Sequence, residues 1–293
     1  MGLLDRWRTR LTEQRAVTPS TAKVRTLPGG RIVKVVGEAY YQESLDQVCG
    51  GRTEDGHARE CTATLVPEPR NPYDRNAVGV WIDGRQVGHL SREDALRYKP
   101  VVRRLAANGE IGACAALILG GWARRLGDVG HYGVTLSLAS PGDCLKALDG
   151  ENTVWPDPWV VLRQEPGYRA HRERTRRKEA EQAGYVRGRF YTEWVPTLDK
   201  LRAEKRDDEA LELLLEIIDA TERASQILGE VPPPAYTERA AIILRRKKDY
   251  AGEVAVLERW MAACPPGAGS DRFIGRLAKA RALAVKAGQL PPT

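Results

Sequence analysis

The feature that most constrains this chain is a change of hydrophobic period along its length. Up to about residue 141, apolar residues come in short runs rich in Val and Ile, bounded by Gly, Pro, Asn and Asp, which is the texture of strands. From residue 190 onward they recur at i, i+3 and i+4, which is the texture of helices. A segment patterned for one period cannot bury its apolar face in the other, so the chain divides into a β part and an α part. Its 293 residues are enough for two ordinary domains, and a 42% hydrophobic content is that of a globular protein.

In the β part, residues 31–37, 60–66, 77–82, 86–90, 111–119 and 132–139 read as strands. Asp83-Gly84 joins two of them and is a strong hairpin signal, because a type I′ turn needs the positive φ that this pair supplies cheaply. Ser91 is a good N-cap with Asp94 three residues on, and Ala95, Leu96, Val102 and Leu105 give an apolar stripe to about Ala107. Pro100 is expected to kink or divide that helix. About six strands with one helical excursion have the size and rhythm of a small barrel.

Beyond it, Trp155-Pro156-Asp157-Pro158-Trp159 reads as too rich in Pro for regular structure, and residues 169–181 as either a solvated helix or a flexible link. Helices are expected at 190–204, 207–228, 234–247, 250–263 and 272–287. The expected organisation is a basic mobile arm at 1–30, the barrel at 31–141, a Pro-rich then basic linker at 142–189, and a helical domain at 190–293. Asp207 and Asp249 open similar stretches 42 residues apart, which resemble a degenerate tetratricopeptide-like pair. Such hairpins stack and leave a groove for a partner; the alternative is a bundle that merely packs.

The formal charge of +7 favours an anionic partner such as nucleic acid. Its location sharpens that inference. Residues 1–34 hold 8 basic and 2 acidic side chains and residues 169–189 hold 8 and 3, whereas 35–141 hold 12 and 13, and 190–293 hold 16 and 16. Arm and linker can attract phosphate non-specifically, while specific recognition has to come from a near-neutral barrel.

No apolar run approaches the ~18 residues of a membrane span, and the first residues lack the apolar core of a secretory signal. Five scattered cysteines without a C-x-x-C pair read as free thiols of a cytoplasmic protein. Cys49, His57 and Cys61 lack a fourth ligand, so no metal is expected. There is no Walker motif and no Ser/His/Asp order or paired-carboxylate motif, so the chain reads as non-enzymatic and without a cofactor.

Three segments carry a resemblance: Val35-Val36-Gly37-Glu38-Ala39-Tyr40-Tyr41, then residues 67–78 around Asn71-Pro72-Tyr73-Asp74-Arg75-Asn76-Ala77, then Gln86-Val87-Gly88-His89-Leu90. In order and spacing they resemble the HIRAN domain family, over residues 31–141. The resemblance implies a barrel of the oligonucleotide/oligosaccharide-binding (OB) type, so the expected fold class is α+β: a small OB-like barrel followed by an all-α helical-hairpin domain. It further implies a domain that holds the free 3′ end of single-stranded DNA. Carried over position by position, Tyr40 and Tyr41 stack on the terminal bases, Asp74 accepts from the 3′ hydroxyl, and Asn71 and Tyr73 shape its loop. His89 and Arg92 face phosphate, and Tyr132 is the counterpart of a late aromatic. The residue before the Tyr pair, an Arg that touches nucleic acid in some members, is here Ala39.

The chemistry agrees. Base stacking on aromatic rings is strong and sequence-tolerant, and a carboxylate suits a nucleic-acid site only where the ligand presents a donor such as a terminal hydroxyl. Each residue also has a plainer role: residues 71–74 as a turn with Asp74 capping amides, Tyr41 as core, Trp81 as core or partner-facing, His89 as a hydrogen-bonded structural histidine. The leading expectation is an adaptor that recognises single-stranded 3′ ends or stalled-fork DNA and binds a protein partner through its helical half. The rival is a protein-interaction module whose barrel has lost nucleic-acid binding, as Ala39 permits; a third has arm and linker alone bind nucleic acid.

Overall fold

The computed structural model describes residues 23–151 and 153–291, so most of the expected arm lies outside the described residues. The chain forms two compact units that divide between Arg172 and Glu173.

The first unit is a closed six-stranded barrel. Strands β2 (Arg31–Val36), β3 (His57–Pro67), β4 (Val78–Ile82), β5 (Arg85–Leu90), β6 (Glu110–Gly120) and β7 (Tyr132–Leu138) pair antiparallel in the order β6-β3-β4-β5-β2-β7, and β7 returns to β6. The β4–β5 hairpin turns on Asp83 and Gly84, both at positive φ (48° and 75°), as a type I′ turn requires. Helix α1 (Gln42–Cys49) follows β2, and α2 (Arg92–Ala107) lies between β5 and β6. The Ser91 side chain caps α2 by accepting from the Asp94 amide at 3.0 Å. Pro100 does not divide α2, which runs through it as one helix.

Two further expectations are corrected. Lys23–Thr26, assigned to the arm, form strand β1, which pairs in parallel with the start of β6, where β7 does not reach. Residues 142–172, assigned to a linker, fold onto the barrel as α3 (Pro141–Leu148), α4 (Pro158–Leu162) and the start of α5 (Pro166–Ala183). Of the two prolines that argued against structure, Pro158 occupies the first position of α4, where a missing N–H costs nothing, and Pro156 lies ahead of the helix. Asp157 caps α4, accepting from the Trp159 amide at 3.0 Å. A cover is needed because β6 is apolar on both faces: Cys114, Ala116 and Ile118 join the barrel core, while Ala115 and Leu117 point outward and are buried with Leu162 of α4.

In the second unit a two-residue hairpin, β8 (Tyr185–Val186) with β9 (Arg189–Phe190), leads into α6 (Val195–Ala203), α7 (Asp207–Leu228), α8 (Pro234–Arg246), α9 (Tyr250–Ala263) and α10 (Ile274–Lys286). Each of these helices packs chiefly on its neighbours in sequence, around a core that includes Leu214, Ile217, Leu257 and Trp260. No helix among the described residues is long and apolar enough to cross a membrane.

Candidate nucleic-acid interface

Where β2 ends decides what the two tyrosines do. The strand stops at Val36, opposite His89, and Gly37 in the left-handed region starts a 3-10 turn (Glu38–Tyr40) that leads into α1. The Gln42 side chain fastens this turn to β7, donating to the carbonyls of Glu38 (3.0 Å) and Tyr132 (2.9 Å) and accepting from the Tyr132 amide (2.8 Å). The tyrosines therefore escape strand alternation, yet they diverge. Tyr40 is 81% exposed, whereas Tyr41 is half-buried with its ring centroid 5.9 Å from that of His89. Burial foremost, aided by the Glu68 charge, pushes the Tyr41 phenol up to about 12.

The loop after β3 is both turn and candidate site. Asn71 Oδ1 accepts from the amides of Tyr73 (3.0 Å) and Asp74 (3.3 Å), and Asp74 Oδ1 accepts from the Asn76 amide (2.8 Å). These successive Asx turns hold the Tyr73 ring 67% exposed. They use one oxygen of Asp74; the other, Oδ2, has no hydrogen-bond donor among the described residues. Arg70 and Arg75 bracket the motif, and both are exposed without an ion-pair partner among the described residues, as is Arg92 at the first position of α2.

Glu68, just past β3, joins this loop to β5. Its Oε1 accepts from Gln86 Nε2 (2.8 Å), and its Oε2 accepts from Asn71 Nδ2 (2.8 Å) and faces His89 Nε2 (3.2 Å). Gln86 Nε2 also lies 3.0 Å from His89 Nε2. Burial raises the Glu68 carboxyl, but the donors from His89, Asn71 and Gln86 outweigh it and hold it below the usual carboxylate range. Gln86 and His89 are three apart and would face opposite ways on a regular strand. A register shift between Val80 and Trp81 passes over Val87 and brings them together. Gly79, opposite His89, makes room: a Cβ there would stand 2.5 Å from Glu68 Oε1 and 2.9 Å from Gln86 Nε2.

The structure thus brings Tyr41, Asn71, Asp74 and His89 into one connected cluster, with Tyr40 and Tyr73 exposed beside it. His89 Nε2, expected to face phosphate, faces Glu68 and Gln86 instead. Tyr132 departs further. Its ring is 2% exposed and its hydroxyl donates to Asp46 Oδ1 (2.9 Å), so it offers no face to a base. Alternation explains this, since Tyr132, Val134, Leu136 and Leu138 all enter the barrel core. Sequence reasoning missed Glu68, Gln86, Arg70 and Arg75, although all four lie inside the motif segments. Of the metal-like trio, His57 Nε2 lies 2.8 Å from the Gly51 carbonyl oxygen, and burial foremost pushes the Cys61 thiol up to about 12.

Comparison with known proteins agrees with the motif reading. Residues 31–111 match the HIRAN domain family. The match ends at the start of β6, leaving most of that strand, β7 and the covering helices outside it. Among solved structures, the crystal structure of the HIRAN domain of human HLTF matches at 18% identity and a TM-score of 0.23, covering 44% of this chain and 93% of that one. No curated protein matches the chain.

Proposed function

We propose that this chain is a non-enzymatic adaptor whose HIRAN domain holds the free 3′ end of single-stranded DNA. The observation that carries the reading is the convergence of exposed rings and uncommitted polar groups at one edge of the barrel. Tyr40 and Tyr73 offer stacking faces, and Asp74 Oδ2 is open to a hydroxyl donor. Arg70, Arg75 and Arg92, without carboxylate partners among the described residues, suit phosphates. Arg92 at a helix N-terminus opposes the helix dipole, a placement that a bound anion would relieve.

Fluorescence anisotropy with 5′-labelled oligonucleotides ending in a 3′ hydroxyl or a 3′ phosphate tests the reading. The hydroxyl end binds more tightly, because Asp74 repels a terminal phosphate, and affinity falls with added salt. Equal, weak binding of both ends overturns end recognition, and salt-independent behaviour favours the protein-interaction alternative. For the helical unit we retain a tetratricopeptide-like, partner-binding role, supported by the sequential packing of its helices and by Asp207 and Asp249 each standing at a helix start. Five cysteines without a disulfide suit a reducing compartment such as the cytoplasm.

A further inference from the structure

Trp81 stands beside the site with an unmet need. It pairs with Gln86 across the β4–β5 hairpin, and its indole Nε1 is buried without a hydrogen-bond partner. A buried unpaired donor is costly, so it marks either strain or an arrangement that changes. The Nε1 lies 3.0 Å from the point a Cβ on Gly79 would occupy, and Glu68 Oε1 lies 2.5 Å from the same point. Donor and carboxylate are thus close neighbours, yet they are not bonded.

The carboxylate's present partners conflict with one another. If His89 Nε2 carries a proton, it donates to Glu68 Oε2 at 3.2 Å but meets an N–H of Gln86 at 3.0 Å. If it carries none, it accepts from Gln86 and turns a lone pair on the ionised Glu68. Flipping the Gln86 amide only moves the conflict, because its oxygen would then oppose Glu68 Oε1. With Glu68 ionised, no placement of protons on His89 and Gln86 makes all three contacts favourable.

We propose that Glu68 exchanges donors when nucleic acid binds: His89 swings from Glu68 to a DNA phosphate, and the Trp81 indole N–H takes its place on the carboxylate. Glu68 then has three donors in both states, Asn71, Gln86 and His89 in the free protein and Asn71, Gln86 and Trp81 in the complex. Release of His89 removes its conflict with Gln86 and satisfies the indole, so freeing the imidazole leaves no bare buried carboxylate. Trp81 is on this account a positioning residue, touching no DNA itself. The inference rests on the reading that this domain binds DNA, and adds His89 to the groups that meet phosphate.

The test uses the whole chain, ¹⁵N-labelled, with an oligothymidylate bearing a 3′ hydroxyl. The Trp81 indole Hε1 resonance, assigned by side-chain correlation in the wild-type protein, moves downfield at saturation as it gains a carboxylate acceptor. Trp81→Phe, which keeps a ring but loses the donor, binds roughly ten- to hundredfold more weakly with a melting midpoint no lower than wild type, the factor one hydrogen bond to a charged group contributes. DNA binding with an unmoved Hε1 resonance, or a folded Trp81→Phe that binds like wild type, overturns the exchange alone. Absence of any binding by the wild-type chain overturns the DNA reading and the exchange with it. The resonance shift is read whether or not the variant folds.

Discussion

The two units each hold an embedded carboxylate, and they treat it in opposite ways. Glu253 of α9 has no exposure and takes one guanidinium on each oxygen, Arg245 of α8 on Oε2 (2.7 Å) and Arg276 of α10 on Oε1 (2.9 Å). Both partners are permanent cations in a fixed fork, so the node ties three helices in a single geometry. Glu68 of the barrel is only half-buried, and its donors are two amides and an imidazole. None of these is bound to stay. A carboxylate saturated by fixed charge sets packing, whereas one served by exchangeable donors leaves the site free to rearrange around a ligand.

The largest effect should fall on the saturated node. Glu253→Gln leaves two guanidinium groups facing a neutral amide and should destabilise the helical unit by about 3 kcal/mol, read from urea unfolding. Glu68→Gln, where water can replace a lost partner, should cost about 1 kcal/mol. Equal costs would erase the distinction between the two carboxylates.

Binding sharpens the contrast from the other side. Asp74→Asn keeps the Oδ1 acceptor for the Asn76 amide but turns Oδ2 into a donor. It should leave the melting midpoint in place and remove the preference for a 3′ hydroxyl over a 3′ phosphate in the anisotropy assay. Tyr40→Ala deletes a ring that is 81% exposed, so stability should change by less than about 0.5 kcal/mol while DNA binding loses about 1–3 kcal/mol. A Tyr40→Ala protein that melts early would reassign that ring to the fold.

Much of the architecture was legible because it rests on local chemistry. Asp83-Gly84 dictates its turn, Ser91 and Asp94 their cap, and the start of α7 at Asp207 and the span of α9 follow from apolar spacing. The three motif segments led to the cluster for the same reason. What escaped the sequence depends on non-local geometry. Gln86 and His89 share a face only because the β4–β5 register shifts, and Glu68 matters only because Gly79, in another strand, leaves room for it. Tyr132 was misassigned against available information, since the alternation of β7 already turned it inward. The short helix at Pro158 escapes a reading that counts its proline as a breaker, because a proline at a first helical position forfeits no hydrogen bond.

The smallest expected effect is a pH dependence that separates the barrel's buried phenols from its carboxylate. Burial foremost pushes Tyr41 and Tyr98 up to about 12, while the same groups in an unfolded chain ionise near pH ~10. Their contribution to stability is complete below pH ~10 and is lost as pH rises toward about 12, because over that window the unfolded chain releases protons that the fold retains. Glu68 acts at the other end. Its lowered carboxyl stabilises the barrel above pH ~4.3, and that contribution is lost as pH falls through the folded value. Tyr41→Phe should therefore flatten the alkaline decline by about 1 kcal/mol or less, since the ring is only partly shielded, and leave the acid limb alone. Urea unfolding at pH ~9 and pH ~11 reads the difference. An alkaline decline unchanged by Tyr41→Phe would place Tyr41 outside the linked cluster and return it to the exposed face beside Tyr40.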